Sequence, residues 1–121
     1  MKQVSELEPR ESLLDLIRQQ LKDYPVIVRA VFELSYYSPI SALQIISLSV
    51  SDIHLRENLV KVRKNGIESW IPITLECAEL LEQIIDSNQP NSPLFRNNEG
   101  QRLSLEEMFF IKRLFWYRVK P

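Results

Sequence analysis

The pair Asn65-Gly66 constrains this chain more than any other two residues. It stands between the runs 59–64 (LVKVRK) and 67–73 (IESWIPI). The first run alternates apolar and basic residues, as a half-exposed strand does. Asn-Gly is the strongest short-range signal for a two-residue hairpin turn, because both positions must accept a positive φ. A turn of that length sets the register: Arg63 faces Glu68 and Lys61 faces Trp70 across the pair. It also puts Lys64 at the tip, where a side chain has little to cover it.

The rest of the chain reads as helix. Residues 10–23 place Leu13, Leu14, Ile17 and Leu21 on one face and Asp15, Arg18 and Lys22 on the other, an amphipathic surface helix. Pro25 suits the first turn of a second helix, 25–37. That helix is apolar nearly all round and therefore central, with Arg29 and Glu33 spaced to pair along it. Ser41 with Gln44 fits a capping box for a short helix, 42–48, whose core residues are Leu43, Ile45, Ile46 and Leu48. Residues 49–58 read as a polar connection, with His54 solvated in it. Thr74 caps a helix over 75–86 that turns Leu75, Ala78, Leu81, Ile84 and Ile85 inward. A loop rich in Asn, Ser and Pro follows, with Leu94-Phe95 as its apolar anchor. Ser104 with Glu107 forms a second capping box and opens a last helix, 105–119.

Five helices and one hairpin make the expected fold α+β and mainly helical, with residues 1–9 as a tail and 10–121 as a single domain. The 121 residues, 45% hydrophobic and 26% charged, suit one domain with a core. A formal net charge of −1 argues against strong nonspecific nucleic-acid binding by this chain alone. The single cysteine, Cys77, lies in an apolar helical pattern and excludes both an internal disulfide and a cysteine-based zinc site. No apolar run is long enough to span a membrane, and the charged N-terminus lacks a signal core, so the expected compartment is the cytoplasm. Nothing in the sequence calls for a cofactor.

Two further stretches support a family resemblance. YYSPISALQIISLSVSDI (residues 36–53) is similar to the pattern Tyr-Thr-Gly-Leu-Arg-x-x-Glu-Leu-x-x-Leu-x-x-x-Asp-Ile of the tyrosine recombinases, also called phage integrases. Tyr37, Leu48, Asp52 and Ile53 stand at matching places, with Gln44 where the family has glutamate. KVRKNGIESWIPIT resembles the family hairpin with a lysine at its tip, and SPLFRNNEGQRLS the later loop before the next helix. The resemblance covers roughly residues 7–119 and implies the first half of a recombinase catalytic domain.

The same resemblance marks departures. The family cleaves DNA with a tyrosine nucleophile, while arginines, a lysine and histidine-type residues neutralise the charge developing on the scissile phosphate. Ser41 stands at the first arginine position and cannot fork a phosphate. Pro39 replaces a glycine. The His-x-x-Arg box, the second histidine or tryptophan and the nucleophilic tyrosine have no counterpart here. Lys64 matches the family lysine. The resemblance thus implies an integrase-like protein that is catalytically incomplete, not an enzyme on its own, and that binds duplex DNA or assists an active recombinase. A protein-interaction module that keeps the fold without DNA, or a truncated inactive recombinase, are the alternatives.

Residue by residue, the expectations stay double. Lys64 either reaches DNA or is an ordinary exposed lysine beside a turn. Arg56, Lys61, Arg63 and Lys64 around the hairpin, and Lys112, Arg113, Arg118 and Lys120 near the end, either contact phosphates or balance the acidic start. Ser41 reads as a helix cap and Tyr117 as a core aromatic. The last helix is apolar on every side, so a homodimer or hetero-partner is expected on it, with Phe109, Phe115 and Trp116 as interface residues.

Overall fold

The structure, a computed structural model, describes residues 9–38, 40–85 and 89–119. The order is α1 (Pro9–Leu21), α2 (Val26–Tyr36), α3 (Ala42–Ile46), a 3₁₀ turn (Val50–Asp52), β1 (Ile53–His54), β2 (Leu59–Lys64), β3 (Ile67–Pro72), α4 (Leu75–Ile84) and α5 (Leu105–Val119). Among the described residues, five helices pack mainly on one another, and a small antiparallel sheet of order β1-β2-β3 lies against α3 and the 3₁₀ turn. Residues 1–8, Pro39, Asp86–Asn88, Lys120 and Pro121 lie outside the described residues, as do the side chains of residues 9–12 and 116–119. The expected tail of residues 1–9, except Pro9, which opens α1, and the expected roles of Pro39, Trp116, Tyr117, Arg118 and Lys120 fall there.

The local signals are met by local geometry. Asn65 and Gly66 have φ of 54° and 79°, the left-handed values a two-residue hairpin requires. Lys61 pairs with Trp70 and Arg63 with Glu68, as the turn length dictates. Ser41 accepts from Gln44 N at 3.2 Å while its own amide donates to Gln44 Oε1 at 3.0 Å. Ser104 and Glu107 repeat that exchange at the start of α5, at 2.8 and 3.1 Å. Thr74 Oγ1 accepts from Cys77 N at 3.0 Å and caps α4.

Helix α2 is the centre. It packs against α3, α4 and α5, and Ala30, Val31, Phe32 and Leu34 on it are buried. Phe32 meets Phe115 of α5 edge-on, with ring centroids 5.3 Å apart. Burying two phenyl rings there stabilises by roughly 2–3 kcal/mol each.

The structure corrects several expectations. Residues 53–54 form a short third strand on β2, where a polar connection was expected, and His54 is part of it. Leu43 and Leu75, expected in the core, are exposed, and Leu80 is buried instead. Leu43 and Leu75 lie in the first turns of α3 and α4, outside the packed faces of those helices. Arg29 and Glu33 do not pair with each other. Glu33 takes Arg18 of α1, with Nε–Oε2 2.6 Å and Nη2–Oε1 2.9 Å, and Arg29 reaches Glu76 at 3.4 Å. Tertiary partners outcompete the i,i+4 spacing because Glu33 faces inward between α1 and α4. Phe115, expected at a partner surface, is 2% exposed.

Candidate functional site: the hairpin and its root

The hairpin is built to hold its tip away from the core. Val60 and Val62 of β2 are buried, while Lys61 is half-covered and Arg63 and Lys64 are exposed. Strand alternation puts Lys61 and Arg63 on one face and Lys64 on the other. The root is fixed at three points. Ser38 Oγ donates to Pro72 O at 3.0 Å. Ile73 N donates to Asn58 O at 3.0 Å. Thr74 Oγ1 donates to Glu33 Oε1 at 3.1 Å.

The four cations read as either phosphate contacts or a solvated face have different surroundings in the structure. Arg63 lies between two carboxylates, with Nε–Glu68 Oε2 at 2.9 Å and Nη1–Asp52 Oδ1 at 3.5 Å. Its charge is already balanced. Asp52 is buried and also accepts from Ser49 N at 2.9 Å. Lys61 Nζ sits 5.8 Å from the Trp70 ring centroid, a cation–π arrangement that leaves its charge uncancelled. Lys64 and Arg56 make no ion pair with any described residue. Arg56 lies in the turn between β1 and β2, so the length of β2, roughly 17 Å for a strand of this size, divides it from the tip. The free cations therefore lie at both ends and on both faces of one strand.

Sequence reading missed two parts of this region. His54 stands edge-on to Trp70, with centroids 4.5 Å apart, a contact that could be foreseen only by placing His54 on a strand beside β2. Asp52, Gln44, Ser47, Leu48, Lys61, Val62 and Arg63 enclose a cavity of about 220 Å³ between α3 and β2. Ser41 is occupied as a cap and brings no positive charge. Among the described residues, no group of three or more His, Cys, Asp or Glu could hold a metal ion. No helix among them is long and apolar enough to cross a membrane.

A helical body carrying a small antiparallel sheet, with a lysine at the tip of its hairpin, is the arrangement implied by the resemblance to recombinase catalytic domains. The chain belongs to the phage integrase family, whose sequence model matches residues 8–113. It is 33% identical over 87 residues to tyrosine recombinase XerC of Thermodesulfovibrio yellowstonii, covering 63% of this chain and 29% of that protein. It is 27% identical over 123 residues to tyrosine recombinase XerD of Proteus mirabilis, covering 93% of this chain and 39% of that protein. The crystal structure of XerA recombinase superposes with a TM-score of 0.72 at 20% identity, over 93% of this chain and 42% of that one. A lambda integrase dimer bound to a COC' core site gives 0.56 at 17%, over 98% and 45%. The fold is thus that of tyrosine recombinase catalytic domains. The chain spans about a third of the length of the curated relatives it matches.

Proposed function

We propose that these residues form a DNA-contacting unit of DNA recombination that does not cleave DNA by itself. The observation that carries the reading is Lys64: a cation without an ion-pair partner among the described residues, on a hairpin tip at the family's lysine position, while Ser41 at the family's arginine position supplies no charge. Contact with a phosphate by Lys64, helped by Lys61 and Arg56, positions the unit on a duplex without reading its sequence. An active recombinase is the partner that would complete such a unit.

Titration of a labelled duplex with the protein at low and moderate salt tests this. Binding that weakens with salt supports it, and Lys64→Ala should lower the salt slope by roughly one unit for all sequences. No binding at low salt overturns it. Incubation with supercoiled plasmid should leave the DNA intact, and a covalent tyrosine adduct would refute the non-cleaving part.

A second reading has its own observation. The net charge is −1, Arg63 is internally balanced, and Phe109 and Phe110 of α5 are exposed. Those features suit a module that meets another protein through α5, with or without DNA.

A further inference from the structure

Arg102 stands in the loop that enters α5, and its guanidinium reaches back to the end of α3. Nη1 donates to Ile46 O at 2.7 Å and to Leu48 O at 2.9 Å, and Nη2 donates to Ser49 Oγ at 3.2 Å. Ile46 is the last residue of α3, and the final carbonyls of a helix have no partner within it. Arg102 therefore closes α3 from outside and holds residues 46–49 together. All three acceptors are neutral, and Arg102 makes no ion pair with a described residue. What it supplies there is geometry, a planar fork that keeps several acceptors in place at once.

The held segment continues toward the hairpin. Ser49 N donates to Asp52 Oδ2 at 2.9 Å, and Asp52 Oδ1 lies 3.5 Å from Arg63 Nη1. Asp52 is buried, so its carboxylate has a fixed place. Arg63 is the neighbour of Lys64 in the chain. The bonds at Ser38, Asn58 and Thr74 hold the root of the hairpin, whereas Lys64 ends β2, roughly 17 Å from its start. A ribbon of two strands held at its root can pivot about it. The Asp52–Arg63 contact ties the ribbon to the body beyond Val62, next to the tip.

We propose that Arg102 is a positioning residue for the hairpin tip. Through Ser49 and Asp52 it fixes Arg63, and with it the place of Lys64 relative to the body. A displacement of the loop at Arg102 is thereby passed to the tip. The inference deepens the reading in which Lys64 meets DNA and rests on that reading only for its binding test. A lysine at position 102 would keep the charge but has no fork to span three acceptors.

Nitroxide labels at Lys64→Cys and Glu82→Cys, both exposed positions, report the tip against α4 in the full chain, while Cys77 is buried and escapes labelling. The distance distribution should broaden in Arg102→Met. Arg63→Met cuts the other end of the path and should broaden it equally, with the double variant no broader than either single one. Arg102→Lys should behave as Arg102→Met. An unchanged distribution in Arg102→Met overturns the proposal. A lysine that restores the parent width overturns the fork, and a double variant broader than both singles overturns the path through Asp52. Duplex titration is the second readout. Arg102→Met should lower the salt slope by the same roughly one unit as Lys64→Ala, with no further loss when the two are combined. A summed loss of about two units would make Arg102 a phosphate contact in its own right and overturn the positioning role. A wild type that binds no duplex sinks the DNA reading, and the spin labels still decide this one.

Discussion

Two arginine–carboxylate clusters in this chain have the same chemical parts and opposite settings. Arg18 and Glu33 meet inside, with the Glu33 side chain 2% exposed. Arg63 and Glu68 meet on the hairpin, with side chains 51% and 50% exposed. The inner pair joins α1 to α2 and, through Thr74, α2 to the junction of β3 and α4. The outer pair joins two strands that the backbone already joins. Water screens the outer charges, whereas the inner carboxylate depends on its protein partners. One pair is a joint of the fold, and the other is a local trim on it.

The widest contrast should appear in chemistry. Burial, and next the Glu33 carboxylate, push the Cys77 thiol far above its usual range. A thiol reagent should label Cys77 in urea at least about a thousandfold faster than in the folded chain. Because the folded thiol value lies above the unfolded one, this contribution to stability is complete below the unfolded value of about 8.5 and is lost as pH rises past it toward the folded value. Labelling at equal rates would mean the joint is open.

Glu33→Ala should come next, destabilising by about 3 kcal/mol in urea melts, because Arg18 and the Thr74 hydroxyl both lose their acceptor. Thr74→Val should cost about 1–2 kcal/mol by removing the α4 cap together with that donor. Glu68→Ala should change stability by less than about 1 kcal/mol. If Glu68→Ala and Glu33→Ala cost the same, burial does not distinguish the two clusters.

Legibility in the sequence follows the range of the interactions. The hairpin, its register and three side-chain caps were readable because each is decided within four residues. The two-residue strand at Ile53–His54 was not, since its existence depends on β2 lying alongside. The Glu33 partnership was misread for the same reason: Arg29 is near in sequence, while Arg18 is near only after α1 docks. In α5 apolar residues fall on every side of the helix, so the pattern alone does not say which face is inside. Only the packed structure separates Phe115, inside, from Phe109 and Phe110, outside. For the candidate site, the position of Lys64 was readable from its turn. The balancing of Arg63 by Asp52 was not, because that carboxylate arrives from a different element.

The three bonds at the base of the hairpin bear on how such a chain can change over generations. Ser38, Asn58 and Thr74 hold the element where it leaves the body, while Lys64 and Ile67 at its far end are exposed. Substitutions at the far end disturb no packing, and substitutions at the base disturb the whole element. A change at the tip therefore alters what the hairpin can touch and leaves its mount intact, whereas a change at the base moves every tip residue at once.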